Sequence, residues 1–362
     1  MFNQWMQSKH HAASATLRQT LFQTYDLWSE LDMLRHIYLM SDGSRSDQFA
    51  HTIFKNIDSL NVYWHDRFNL TEIAREAFDG LVDPYRLSVN ASYNNAVPNV
   101  ENVRRTVRDG LPLIRMLYRL PWLSRIVLMD ESLGHYQLIF TFLLQLRRAS
   151  YVLTRHRIVS GGPVHKSSEQ EIFYSLRSKL LWFCNTLQSY LSTLVLGPLV
   201  DNLQEEMRQA EDIDKMLVSH STFTKQMIDE ACLGGKLDPI RQAILDIFDL
   251  AIKLGDAYQL QSERIAKETQ PSAMSPLGEN SFNENAKSNE EGELEEETEV
   301  TMMQGAEIPY GQELREIRAD LDRHLKFIAG GLRGVARASS SGAASKWDIL
   351  AEMFEVGIQG FQ

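Results

Sequence analysis

The sequence has 362 residues, 43% hydrophobic and 23% charged, with two cysteines and a formal net charge of −11. That length holds one large or two ordinary domains. The apolar content is ample for a packed core, since a fully buried Leu or Phe contributes roughly 1.5–3 kcal/mol. No run approaches the roughly 18 apolar residues of a membrane-spanning helix, and the negative balance offers no electrostatic case for nucleic acid or an anionic membrane. The charge is uneven: nine Glu and one Lys between Glu279 and Glu299 make −8 of the total −11. Cys184 and Cys232 sit in apolar helical patterns, which predicts buried thiols in a reducing, intracellular compartment. The first thirty residues hold Lys9 and Arg18 but no continuous apolar stretch, so no signal peptide is expected.

Helical periodicity dominates. Leu17, Leu21, Tyr25, Trp28, Leu31, Leu34 and Tyr38 recur at steps of three and four, predicting a helix over Thr16–Met40. The pattern repeats over Gln48–Trp64 and, more briefly, Leu70–Leu81. The character then changes. Leu87–Val89, Leu113–Leu120 and Ser124–Met129 are short, apolar and rich in β-formers, punctuated by Pro84, Pro98, Pro112 and Pro121. They predict a small antiparallel β element around residues 87–129. From Ser132 to His156 apolar residues cover almost every face, which places this helix at the centre of a bundle. Ser168 and Glu171 fit a capping box, opening a seam through Leu176, Leu180, Phe183, Leu187, Tyr190 and Leu194. Pro198 should bend or end that helix. Leu199–Ala210 and Ile213–Leu233 follow, the second closed by Gly234-Gly235. Asp238-Pro239 opens the next helix as cap and first-turn proline. Helical pattern is lost from about Glu268 to Ala306 and returns over Glu307–Leu332 and Trp347–Ile358, with Ser345 as a predicted cap. The expected architecture is mainly α: one helical domain from residues 1–266 and 307–362, interrupted by an acidic, disordered insert at 267–306. Within that insert Ser275-Pro276 has the local form of a proline-directed phosphorylation site.

Catalytic and cofactor signatures are missing. There is no Gly-x-x-x-x-Gly-Lys loop, no Gly-x-Gly-x-x-Gly after a strand, no His-Glu-x-x-His and no Cys/His spacing suited to zinc. Asp320 and Asp322 could be read as a metal pair, but residues two apart face different sides of a helix, and Arg318 and Arg323 lie beside them. Glu72 and Glu76 share a face with Arg75 between them. These read as solvated surface. No enzyme activity and no cofactor is expected.

The order of several motifs nevertheless resembles one family. Tyr118-Arg-Leu-Pro-Trp122-Leu-Ser-Arg-Ile126-Val-Leu precedes Ser132-Leu133-x-x-Tyr136-Gln137-x-Ile139-Phe140. Phe183-x-x-x-Leu187-Gln188-x-Tyr190 follows, then Asp212-Ile213-Asp214, His220-x-x-Phe223 and Cys232-Leu233. Together with Leu39-x-x-Asp42-Gly43 before Phe49, they resemble the C-terminal domain of the γ-tubulin complex components. Pro121 precedes Trp122 here, whereas the family order is the reverse. The long acidic insert is similar to those of divergent fifth- or sixth-type components, particularly of fungi. The family's N-terminal domain, which holds neighbouring components side by side, has no match in these residues. The resemblance implies a helical γ-tubulin-binding domain in the machinery that nucleates microtubules, in the cytoplasm and cytoskeleton, at microtubule-organising centres or spindle pole bodies. Its implied partners are γ-tubulin and other complex components. A generic helical adaptor is the competing reading. Aromatic and arginine side chains are enriched at interfaces, which nominates Tyr118, Arg119, Trp122, Arg125, Arg147 and Arg148 as contact residues. Arg147 and Arg148 also suit the negative end of a helix dipole.

Overall fold

Aspartates decide where the first helices begin. A computed structural model describes residues 2–91, 98–155, 168–269, 309–339 and 342–360. Its chain opens with α1 (Phe2–Gln23) and α2 (Leu27–Tyr38). Periodicity alone predicts one helix through this stretch. The break falls at Asp26, which takes a left-handed conformation (φ 43°) and accepts the Ser29 amide at 3.3 Å. A satisfied N-terminal donor outweighs continuity of the apolar stripe. Asp42 likewise starts α3 (Gly43–Asp58), five residues ahead of the predicted Gln48, and Leu60 and Trp64 fall in the turn beyond it. Asp66 caps α4 (Arg67–Ala77).

Strand β1 (Leu87–Ala91) pairs antiparallel with β2 (Ile114–Tyr118), Leu87 opposite Tyr118 and Ala91 opposite Ile114. Between them lies α5 (Val100–Arg105), capped by Asn99, which no apolar period foretells. Side chains close the middle of the outward backbone of both strands. The Thr71 hydroxyl bonds both N–H and C=O of Val89 at 3.1 Å. The Gln137 amide accepts from Met116 N at 3.0 Å and donates to Ile114 O at 2.9 Å. The Tyr38 hydroxyl donates to Met116 O at 2.8 Å. The stretch Ser124–Met129, expected as a strand, is instead the single turn α6 (Ser124–Val127). It finds no strand to pair with, and its buried Ser124 and Val127, three apart, rest against α10.

Helix α7 (Asp130–Arg155) is central as expected, touching α2, α3, β2 and the later helices α8, α10 and α11. Next, α8 (Ser168–Ser189) runs through a π-wound segment, Tyr190–Leu196, directly into α9 (Gly197–Gln209). Pro198 therefore does not end the helical path. The wider π turn before it absorbs the missing donor and the ring. Asp212 caps α10 (Ile213–Glu230). That helix is turned off not by Gly234-Gly235 but by Cys232, left-handed at φ 61°. Asp238 is no cap. A 3₁₀ turn at Gly235–Leu237 leads into α11 (Asp238–Thr269), and Asp238 is already helical (φ −53°, ψ −43°). Two helices finish the fold, α12 (Tyr310–Ala338) and α13 (Ala344–Gly360). Ser345 lies inside the first turn of α13, its hydroxyl bonding Gly342 O at 3.4 Å, rather than capping it. The acidic run and Ser275-Pro276 lie outside the described residues, and the Ser168 cap lies at their boundary.

The core is aromatic between α8, α11 and α13, where Phe183 stacks on Phe354 at 5.0 Å and meets Phe248 at 6.3 Å. Cys184 and Cys232 are separate buried thiols, each pushed up to about 12 by burial. One ionic cluster is buried too. Arg148, 2% exposed, and Arg155 both pair with Asp58 at 2.5 Å, and the Arg148 guanidinium lies 5.4 Å from the Phe54 ring centre. Removing one side of such a pair strands a desolvated charge. Asp58→Ala should cost about 3–5 kcal/mol in urea denaturation. Asp47→Ala breaks the pair of Arg147 with a 72% exposed carboxylate, and should cost less than about 1 kcal/mol. Gly357→Ala places a methyl group on the Trp182 indole and should cost about 1–3 kcal/mol by the same measurement.

Candidate protein-binding surface

Strand β2 alternates. Ile114, Met116 and Tyr118 face inward, while Arg115 and Leu117 face out, with exposed Arg119 continuing that outward row. The Tyr118 ring lies under Arg86, whose guanidinium is 4.7 Å from the ring centre. Both groups bond one oxygen of buried Glu30, the Tyr118 hydroxyl at 3.1 Å and Arg86 at 2.6 Å. Burial first, and then the Glu30 charge, hold the Tyr118 hydroxyl well above its usual pKa, so it remains a donor. Arg86 also donates to the Arg119 carbonyl at 2.8 Å, fixing the end of the strand.

Outside this lock runs an open groove of about 670 Å³ between the start of α4, β2 and the start of α7. Arg67, Arg115, Arg119 and Arg125 line it, with Leu117, Leu120 and Leu133 between them. The side chains of Arg67, Arg115 and Arg119 have no hydrogen-bond or ion-pair partner among the described residues. Arg125 pairs with Asp130 at 3.0 Å on the rim. Beside the groove, Trp122 stands 68% exposed, its indole edge-on to Tyr25 at 6.5 Å, above a shallow depression shared with Arg125, Ile126 and Met129.

Four nominated residues thus converge, Tyr118 as support and Arg119, Trp122 and Arg125 as surface. Arg147 and Arg148 lie elsewhere, near the far end of α7. Arg147 pairs with Asp47 and borders a cleft of about 710 Å³ with His51, Tyr151 and Asn185. Arg148 is buried against Asp58. Sequence reasoning missed Arg67, Arg115 and Leu117. The alternation Arg115-x-Leu117-x-Arg119 along a strand was the available signal.

The motifs behind the family resemblance touch one another. Tyr136 approaches His220, hydroxyl to Nε2 at 3.3 Å, and packs on Phe223 at 6.2 Å. The next residue, Gln137, closes β2. Tyr190 donates to Glu230 O at 2.7 Å, beside Cys232. Asp320 and Asp322 go to separate partners, Arg323 and Lys179. Among the described residues no group of three or more His, Cys, Asp or Glu could hold a metal ion, and no helix is long and apolar enough to cross a membrane.

Fold and surface define a helical module with an exposed groove and an exposed aromatic platform beside it. The chain belongs to the family described as gamma tubulin complex component C-terminal, which matches residues 27–350. It is 27% identical over 271 residues to gamma-tubulin complex component 5 of Macaca fascicularis, covering 67% of this chain and 36% of that protein. The mouse component 5 is 25% identical, covering 67% and 26%. The Xenopus laevis component 3 homolog is 22% identical, covering 67% and 27%. The chain therefore spans about a quarter to a third of the curated relatives it matches.

His220 is fully buried, and desolvation lowers its pKa to about 4. The unfolded chain, with an ordinary histidine near 6.5, binds the extra proton first. Stability should therefore fall as pH drops from 6.5 towards 4, by up to roughly 1.4 kcal/mol per pH unit and about 3 kcal/mol in all. Urea denaturation of the wild type and His220→Gln should show their difference shrinking across that window and constant above pH 7.

Proposed function

We propose that this chain is a non-enzymatic γ-tubulin-binding domain, working as a structural part of a γ-tubulin complex that supports microtubule nucleation. The family match over residues 27–350 carries this reading. The exposed groove and Trp122 platform support it, because side chains of these types dominate protein interfaces. The other complex components are its further partners, and its place is the cytoskeleton, at microtubule-organising centres or spindle poles. Binding depends on complementary surface rather than chemistry, so neither cofactor nor metal takes part.

Co-purification with γ-tubulin at moderate salt, with αβ-tubulin as control, tests the reading. Selective capture of γ-tubulin is expected, and Trp122→Ala should weaken it roughly tenfold or more if Trp122 is an anchor at the interface centre. Equal capture of both tubulins, or of neither by a folded and monodisperse chain extended upstream, would overturn it.

A further inference from the structure

The groove has a chemistry narrower than protein binding in general. The chain is acidic overall, and most arginines of the described body are spent on carboxylates, Arg104 on Asp256 and Arg108 on Asp246 among them. Arg67, Arg115 and Arg119 are spent on none, and all three line one concavity. Such a local excess of positive charge in a negative molecule is complementary to an acidic partner.

The strand sets a spacing. Alternate residues of a strand lie about 6.7 Å apart, so Arg115 and Arg119 project about 13 Å apart from one face, with Leu117 midway. Leu117 is 45% exposed. An extended peptide has the same repeat, so carboxylates at its positions i and i+4 meet the two guanidiniums while an apolar side chain at i+2 covers Leu117. Addition of the peptide as a third strand is opposed, because Gln137 and Tyr38 already occupy the outward Ile114 O, Met116 N and Met116 O at the middle of β2. Recognition must then run through side chains across the sheet face.

We propose that this groove binds an extended acidic segment of a partner protein, of the pattern acidic-x-apolar-x-acidic, read by Arg115, Leu117 and Arg119. The inference rests on the reading of this surface as the docking face, and adds the chemistry of what docks. Nucleic acid is the poorer fit. Its evenly charged backbone has no use for the leucine between the arginines, and the rest of the chain repels it.

The probe is a fluorescent peptide with Glu at i and i+4 and Leu at i+2 in a Gly/Ser/Thr background, followed by anisotropy at low salt. The control has the same composition with the second Glu moved to i+3, which turns it to the opposite face of an extended chain. The first peptide should bind at least about fivefold more tightly than the second, and its affinity should drop as salt rises. Arg115→Gln with Arg119→Gln, both exposed and so expected to leave the melting curve unchanged, should weaken it roughly tenfold or more. Leu117→Ser should erase the advantage of the Leu-bearing peptide over one with Ser at i+2. Equal binding of the two spacings, no binding at low salt, or tighter binding of a single-stranded oligonucleotide through the same arginines would each overturn the proposal. γ-Tubulin capture by a chain that fails the peptide test would sink this inference and leave the functional reading standing. Peptide recognition without capture would do the reverse.

Discussion

A helix with apolar side chains on nearly every face has to be surrounded, and α7 is that helix. Tyr136, Ile139, Phe140, Phe142, Leu143, Leu144 and Leu146 point in all directions and are all buried. No single neighbour could cover them, so α2, α3, α8, α10, α11 and β2 gather round one rod. Its polar side chains then become expensive unless each finds a partner. Tyr136 finds His220, Gln137 finds β2, Gln145 finds Val107 O at 2.9 Å, and Arg148 finds Asp58. These polar ties sit on an apolar helix at set heights, and they fix which neighbour stands where.

This division explains what could be read in advance. The period of α7, the seam of α8 and the alternation of β1 and β2 are consequences of burial, and burial leaves its mark on the order of apolar residues. Most misplaced boundaries were decided by groups that leave no such mark. Asp26 split the first predicted helix by capping α2 through the Ser29 amide, and Cys232 did at the end of α10 what Gly234 was expected to do. The apolar run at Ser124–Val127 became a turn of helix because its neighbour was a helix face, a fact about distant residues.

The surface was partly legible for the same reason. Trp122 and Arg119 are conspicuous by type, and both are exposed. Arg148 is equally conspicuous by type, yet it is sealed in the core, because its partner Asp58 comes from a helix 90 positions earlier. The family motifs describe contacts between core elements, such as Tyr136 with His220 and Phe223. They therefore identify the fold more strongly than they mark the groove, whose arginines are distributed over α4, β2 and the segment after it.

The two side chains that finish the β ribbon have a wider consequence. A pair of strands with bare edges is sticky: each row of unmet N–H and C=O groups will accept a strand from any chain that comes near. Thr71 on one side and Gln137 on the other answer the central groups of each row from within the same molecule. An added strand would have to displace these bonds at the middle of either edge. Copies crowded side by side could press their helices and grooves together with less tendency for their ribbons to fuse into a growing sheet, which lowers the usual hazard of amyloid-like polymerisation.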